Sequence, residues 1–223
     1  MFNLYNTIIW GCKCNCGNDC FILQENVHPW NKSDQSFTIK CNKCQKEHTV
    51  TQEIARKYYS EKVLSYFENV SGKVLDIGCG YGFLSLSLLN INQNITEMTC
   101  LDSDYKCVDY LKGNNPNDKI KLINDTAENY LNANIKDKYD YIISRDVLMF
   151  IEDLDLFFKN IEINTTKGIK FMGWYMPEDN RVKNRVHPFD FLNYFNTSTW
   201  KINVEYLNWY KNGYFLEAEK RNK

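Results

Sequence analysis

The stretch "VLDIGCGYGFLSLSLL", residues 74–89, sets Gly78, Gly80 and Gly82 at every second position between two apolar runs. Glycine weakens the interior of a strand or helix, so three in this spacing require another explanation. The run before them reads as a buried strand and "FLSLSLLN" after them as a helix. A turn without side chains lets the backbone approach a ligand closely, and the following helix N-terminus favours negative charge. Asp102, twenty residues beyond Gly82 at the end of the next apolar run, suits a carboxylate that accepts hydrogen bonds from both hydroxyls of a ribose. Turn, strand, helix and distal acid together predict a nucleoside-containing cofactor at the carboxyl edge of a parallel sheet.

The same alternation continues along the chain. "EMTCLDSD" reads as a strand, "YKCVDYLKGN" as a helix closed by Gly113, "KIKLINDTAE" as a strand ending in Asp125, and "YDYIIS" as a strand. "DLDLFFKNIEIN" follows as a helix, "GIKFMGWYM" as a fifth strand and "FDFLNYFN" as one more helix. "WKINVEYLNWY" and "GYFLEAEK" read as an antiparallel pair joined through "KNG". Strands alternating with helices build βαβ units, hence an α/β fold with a mostly parallel sheet and helices on both faces. Upstream, residues 11–50 are cysteine-rich and irregular, with strand-like pieces at "CFIL" and "SFTIK". "TQEIARKYYSEKVLSYFENV" then reads as a helix of about that length, with Ile54, Tyr58, Val63, Leu64 and Phe67 at helical spacing and its start near Thr51. The expected division is 1–50 as a cysteine-rich metal-binding segment and 51–223 as the α/β domain.

A dinucleotide fingerprint G-x-G-x-x-G would place glycine at 83, where this chain has Phe83. The pattern is instead D-x-G-x-G-x-G, and with it the chain resembles the class I S-adenosylmethionine-dependent methyltransferases over about residues 50–220. The resemblance implies a Rossmann-like seven-stranded sheet whose last strand is antiparallel. It also implies that Asp76 and the backbone of Gly78 and Gly80 hold the methionine end of S-adenosyl-L-methionine. Asp102 takes the ribose on this reading, with Ser103 beside the adenine. Asp125 and Thr126 match the position where a carboxylate commonly receives the adenine amino group, and Ser144 borders the methyl-transfer site. Gly82 is left to close packing of helix on strand. The D/N-P-P-Y/F motif of adenine-methylating members is replaced here by Ser144, Arg145, Asp146 and Val147, which makes that subclass a poor match.

Methyl transfer needs an acceptor in line with the sulfonium methyl, and a base where the acceptor must lose a proton. Asp146, in the region where the family often presents acceptor-side groups, and His187, the only histidine after residue 50, are the candidate catalytic residues. The bland alternatives are a helix cap for Asp146 and a loop position for His187. Trp174, Tyr175, Arg181 and Arg185 offer an aromatic wall with cationic anchors, or equally core and solvated surface.

Six of the nine cysteines, Cys12, Cys14, Cys16, Cys20, Cys41 and Cys44, fall in the first 44 residues. Clustering of this kind, without a secretory signal, reads as metal binding before disulfides. Cys14 and Cys16, followed by Gly17, with Cys41 and Cys44 of "CNKC", are the expected Zn²⁺ ligands. Cys12 or Cys20 in the first knuckle, and His48, are alternatives. The other three, Cys79, Cys100 and Cys107, read as small buried hydrophobes. A zinc ribbon ahead of a class I domain also occurs in certain ribosomal-RNA guanine methyltransferases, which this chain resembles in arrangement only, with a different ribbon spacing.

Charge narrows the partners. The net charge is −1, with acids in excess over residues 61–164 and bases slightly in excess on either side. A broad phosphate-binding surface needs more positive charge, so nucleic acid is possible but not favoured. No signal peptide or membrane span is indicated, and a cytoplasmic protein is expected. The leading expectation is a methyltransferase acting at O or N of a small molecule. The competing ones are an RNA or protein methyltransferase that recognises its substrate through the zinc segment, and a non-catalytic zinc-ribbon interaction protein.

Overall fold

Two antiparallel hairpins and a helix form around the cysteines. In the computed structural model, which describes residues 7–25, 29, 34–114, 117–133, 138–210 and 212–221, β1 (Thr7–Lys13) pairs with β2 (Asp19–Glu25), and β3 (Ser36–Lys40) with β4 (Glu47–Thr51). β2 and β3 contain the two strand-like pieces visible in the sequence. β1, interrupted by Gly11, and β4, polar on one face, lack that signature. Gly11 is required where it sits: a Cβ there would lie 2.4 Å from the ring of Tyr58. Tyr58 belongs to α1 (Gln52–Ser65), whose Thr51 cap accepts a hydrogen bond from the Ile54 amide at 3.4 Å. The helix is shorter than the periodicity predicts. Its apolar spacing also misassigns Ile54, which is 40% exposed while Ala55, Tyr58 and Val63 are buried. The small core joins Trp10, Ile39, Val50 and Ala55 with four cysteines, Cys12, Cys14, Cys20 and Cys41.

Chain contacts divide the protein into Met1–Tyr66 with Leu207–Lys211, and Phe67–Tyr206 with Asn212–Lys223, so α1 groups with the hairpins. The second unit carries a seven-stranded sheet: β5 (Gly72–Ile77), β6 (Ile95–Asp102), β7 (Ile120–Asn124), β8 (Tyr139–Arg145), β9 (Thr165–Trp174), β10 (Trp200–Leu207) and β11 (Gly213–Lys220). The spatial order is β10-β11-β9-β8-β5-β6-β7. β5 through β9 pair in parallel, and β11 runs antiparallel to β9. The central strand β5 is buried from Val74 to Ile77, the continuous apolar run that a parallel strand covered on both faces demands. Helices α2 (Phe83–Ile91), α3 (Tyr105–Asn114), α4 (Ala127–Ala133) and α5 (Leu154–Asn164) follow β5, β6, β7 and β8.

α2 and α3 pack on β6, and α4 packs on α5. The seven-residue α4 was not separable in sequence from the strand before it, because it is too short to show a helical period. The helix expected at "FDFLNYFN" is a 3-10 helix over Pro188–Tyr194. Pro188 opens it, and Phe191 inserts into the core beside Phe158 and Tyr214. Cys79, Cys100 and Cys107 are buried in this unit.

Candidate functional site

The carboxyl ends of β5, β6, β7 and β8 open onto a cleft of about 800 Å³, in the range that accepts a small organic ligand. Parallel register sets its floor: Ile77 lies level with Leu101 and Ser144, and Asp102 with Asn124. Beyond Ile77 the chain turns through Gly78 (φ 69°), Gly80 (φ 54°) and Gly82 (φ 82°), all left-handed. Their surroundings differ. A Cβ on Gly78 would meet Val147 at 2.2 Å and one on Gly82 would meet Leu111 at 2.6 Å, whereas one on Gly80 would meet nothing within 4 Å. Gly78 thus lets Val147 close over the turn at the cleft wall, and Gly82 lets α2 and α3 approach. The N–H groups of Gly78 and Cys79 donate to the Leu101 carbonyl (2.8 and 3.1 Å), and that of Gly80 donates to the Asp102 carboxylate (2.8 Å).

Asp102 is therefore held from two sides, since its other oxygen accepts the Asp104 amide at 2.8 Å. Each oxygen keeps lone-pair capacity toward the cleft, the arrangement that receives a vicinal diol. Ser103, Asp125 and Thr126 line the same cleft. Asp125 accepts the Thr126 amide at 2.8 Å, and Thr126 Oγ1 accepts the Asn129 amide at 3.2 Å, which caps α4. The Asn124 side chain donates to the carbonyls of Asp102 and Ser103, tying the β7 end to the β6 loop.

Two predicted residues lie behind the cleft wall. Ser144 is buried, and its hydroxyl donates to the Ile77 carbonyl at 2.8 Å. Asp76 is 1% exposed and accepts a hydrogen bond from the Ser85 hydroxyl. Burial pushes its carboxyl up to about 7, opposed by Ser85 and the Arg145 charge and reinforced by Asp102. Because the folded value is raised, native protein takes up a proton that the unfolded chain lacks between about pH 4 and 7. Stability from this group falls as pH rises through that window. Asp76→Asn, neutral at every pH, is expected to be more stable than the parent at pH 8 by on the order of 2–4 kcal/mol and to converge with it near pH 4. Urea denaturation at both pH values checks this; a difference independent of pH contradicts it.

The two candidate catalytic residues occupy different places. Asp146 lines the cleft with φ 62°, a left-handed conformation that aspartate tolerates better than most residues, and its N–H donates to the Met172 carbonyl at 2.8 Å. Its carboxylate lies 3.4 Å from Arg145 Nε. His187 instead lines a separate groove with Asp155, Tyr175, Arg185 and Tyr194. There it bonds the Tyr206 hydroxyl at 2.8 Å and stacks on Phe189. Of the proposed aromatic wall, Trp174 is buried edge-on to Phe150, and Arg181 is clamped by Asp179. Arg185 donates to the Pro177 carbonyl. Sequence reading passed over Arg145, which ends β8 and also lines the cleft; only its place directly after a buried strand could have signalled it.

In the first unit, Cys14, Cys16, Cys41 and Cys44 bring their four sulfurs within 4.8 Å of one another, with Cys14 to Cys44 at 3.5 Å and Cys16 to Cys41 at 3.6 Å. Two similar turns place them. In each, the residue after the second cysteine is left-handed, Gly17 (φ 84°) and Gln45 (φ 62°). The amides of Cys44 and Lys43 bond the Cys41 sulfur and hold its thiol down to about 5. A second set, Cys14, Cys20 and His48, also converges within 4.8 Å.

A parallel sheet whose strand order reverses at its central strand, an antiparallel strand next to its edge, the glycine turn and a cleft-lining acid at the end of β6 define the class I, Rossmann-like S-adenosylmethionine-dependent methyltransferase fold. Residues 59–145 match the family "Methyltransferase small domain". The chain is 41% identical over 108 residues to ribosomal RNA small subunit methyltransferase C of Buchnera aphidicola, covering 46% of this chain and 29% of that protein. It is 27% identical over 146 residues to ubiquinone biosynthesis O-methyltransferase of Rickettsia bellii, covering 65% and 55%. The chain thus spans about half or less of these relatives. The structure superimposes on magnesium protoporphyrin IX methyltransferase from Synechocystis PCC 6803, solved with bound SAM, with TM-score 0.55 and 17% identity, covering 74% of this chain and 80% of that one. The second unit has the fold of this class, and the family match covers residues 59–145.

Proposed function

We propose that the protein transfers a methyl group from S-adenosyl-L-methionine to an O or N atom of a small-molecule acceptor, with Zn²⁺ held by Cys14, Cys16, Cys41 and Cys44. The observation that carries the first part is the doubly anchored Asp102 carboxylate facing the cleft beside a glycine turn that side chains would fill. When bound, the cofactor supplies an electrophilic methyl on a sulfonium. Asp102 would hold the ribose hydroxyls, Ser103, Asp125 and Thr126 would border the adenine, and Gly78 with Val147 would wall the aminoacyl end. Asp146, at the cleft edge next to Arg145, is positioned to orient the acceptor and take its proton. The acidic excess of residues 61–164 favours a small acceptor over a polyphosphate, although one relative acts on ribosomal RNA. His187, outside the cleft, has no part in this reading.

The metal reading rests on the sulfur geometry. Four thiolates at about 2.3 Å from a tetrahedral zinc stand about 3.8 Å apart, close to the Cys14–Cys44 and Cys16–Cys41 separations of 3.5 and 3.6 Å.

Incubation of the purified protein with methyl-labelled cofactor and, separately, small metabolites, total RNA and a protein extract tests the proposal. Label is expected in the metabolite fraction; label on RNA or protein would reassign the acceptor, and binding without any transfer would favour a silent scaffold. The cofactor is further expected to raise the melting temperature by several degrees, as a ligand in large excess over its Kd does, and Asp102→Ala to remove the shift. An unchanged shift in that variant would take the ribose away from Asp102.

A further inference from the structure

Resting on the cofactor reading above, we propose that Arg145 pairs with the α-carboxylate of the cofactor's methionine portion and makes the cleft select aminoacyl nucleosides over nucleosides that lack the carboxylate.

The glycine turn would ordinarily be assigned this anion, through its N–H groups. In this chain four of those groups are committed: Gly78 and Cys79 donate to the Leu101 carbonyl, Gly80 donates to Asp102, and Gly82 donates to the Cys79 carbonyl. The cleft wall is otherwise hostile to an anion, because it carries Asp102, Asp125, Glu128, Asp146, Glu152 and Asp153. Among the described residues that line it, Arg145 is the only lysine or arginine. A ligand carboxylate placed in such a cleft without a cation beside it would be strongly repelled.

Arg145 also stands at the right end of the site. It is the last residue of β8, and its guanidinium lies 5.0 Å over the ring of Phe83, the first residue of α2 and the first after the glycine turn. The same guanidinium is 3.4 Å from Asp146 and close enough to buried Asp76 to pull its carboxyl down. It is therefore fixed between the turn and the acceptor-side acid, a quarter exposed and only partly desolvated. A planar fork with five donors can serve Asp146 and a carboxylate together, and its rigidity favours bidentate pairing. Phe83, which excludes the dinucleotide fingerprint, acquires a purpose as the surface on which that fork rests.

The test is calorimetric titration of the parent, Arg145→Met and Arg145→Lys with S-adenosylhomocysteine and with S-adenosyl-3-thiopropylamine, which differs from it by the carboxylate alone. The parent is expected to prefer S-adenosylhomocysteine, and Arg145→Met to lose about 10- to 100-fold in affinity for it, as loss of a charged hydrogen-bonded pair implies, with thiopropylamine binding unchanged. Arg145→Lys is expected to retain part of the preference, a point charge replacing a fork. Retained thiopropylamine binding shows that the variant cleft is folded. An unchanged preference in Arg145→Met, or equal weakening of both ligands, overturns the assignment. If the parent binds neither ligand, the cofactor reading itself fails.

Discussion

Removing the proposed zinc from the N-terminal unit, with a thiol reagent and chelator, is expected to melt its hairpins while the seven-stranded sheet persists. Two-stranded hairpins of five and seven residues are marginal alone. The core between them is short of large side chains: beside Trp10, Ile39 and Val50 it is built from cysteines and one alanine. A unit of this size needs a staple, and structural zinc supplies about 10–16 kcal/mol of apparent binding free energy, more than such a core provides. Amide hydrogen exchange resolves the two units: protection is expected to vanish over β1 to β4 and to remain over β5 to β9. Cys44→Ser is expected to release the metal and Cys20→Ser to retain it, which separates the four-cysteine set from the alternative with Cys20 and His48. Equal protection with and without metal would contradict the staple.

The second large effect is expected at Gly78. Gly78→Ala places a methyl 2.2 Å from Val147 in a left-handed conformation, and it should destabilise the protein by about 2–4 kcal/mol, the sum of backbone strain and overpacking. Gly80→Ala incurs the strain alone, because nothing lies within 4 Å of the new methyl, so about 1 kcal/mol is expected. The ligand consequences should diverge too. Val147 lines the cleft, and pushing it aside reshapes the wall, so Gly78→Ala is expected to weaken cofactor binding by more than its stability loss accounts for. Denaturation and ligand titration of the two variants check the order; equal effects would mean that the Val147 contact carries no weight.

Much of this arrangement is legible in the chain, for identifiable reasons. Buried parallel strands are continuous apolar runs, so β5, β6, β8 and β9 announce themselves, and Asp102, which ends β6, and Asp125, which follows β7, fall where strand ends meet solvent. Elements whose identity depends on tertiary partners are harder. β1 is broken by a glycine that its packing against Tyr58 explains, and α4 is too short a run to show a helical period. The 3-10 helix at Pro188–Tyr194 is decided by how its aromatics pack rather than by periodicity. Within the site, residue type and position along the strand indicate Asp102 and Asp125. They do not reveal that Ser144 turns inward to Ile77, that His187 belongs to another groove, or that the amides of Gly78, Cys79 and Gly80 are already occupied. Arg145 becomes visible only when those amides are seen to be committed.

The central claim is that the cleft above β5, β6 and β7 binds the cofactor with Asp102 on its ribose. The crystal structure of the protein with S-adenosylhomocysteine tests it most directly. The account predicts both ribose hydroxyls on the Asp102 carboxylate, adenine beside Asp125 and Thr126, and sulfur directed toward the Asp146 side of the cleft. A nucleoside bound elsewhere, or a cleft that stays empty at saturating ligand, would contradict it.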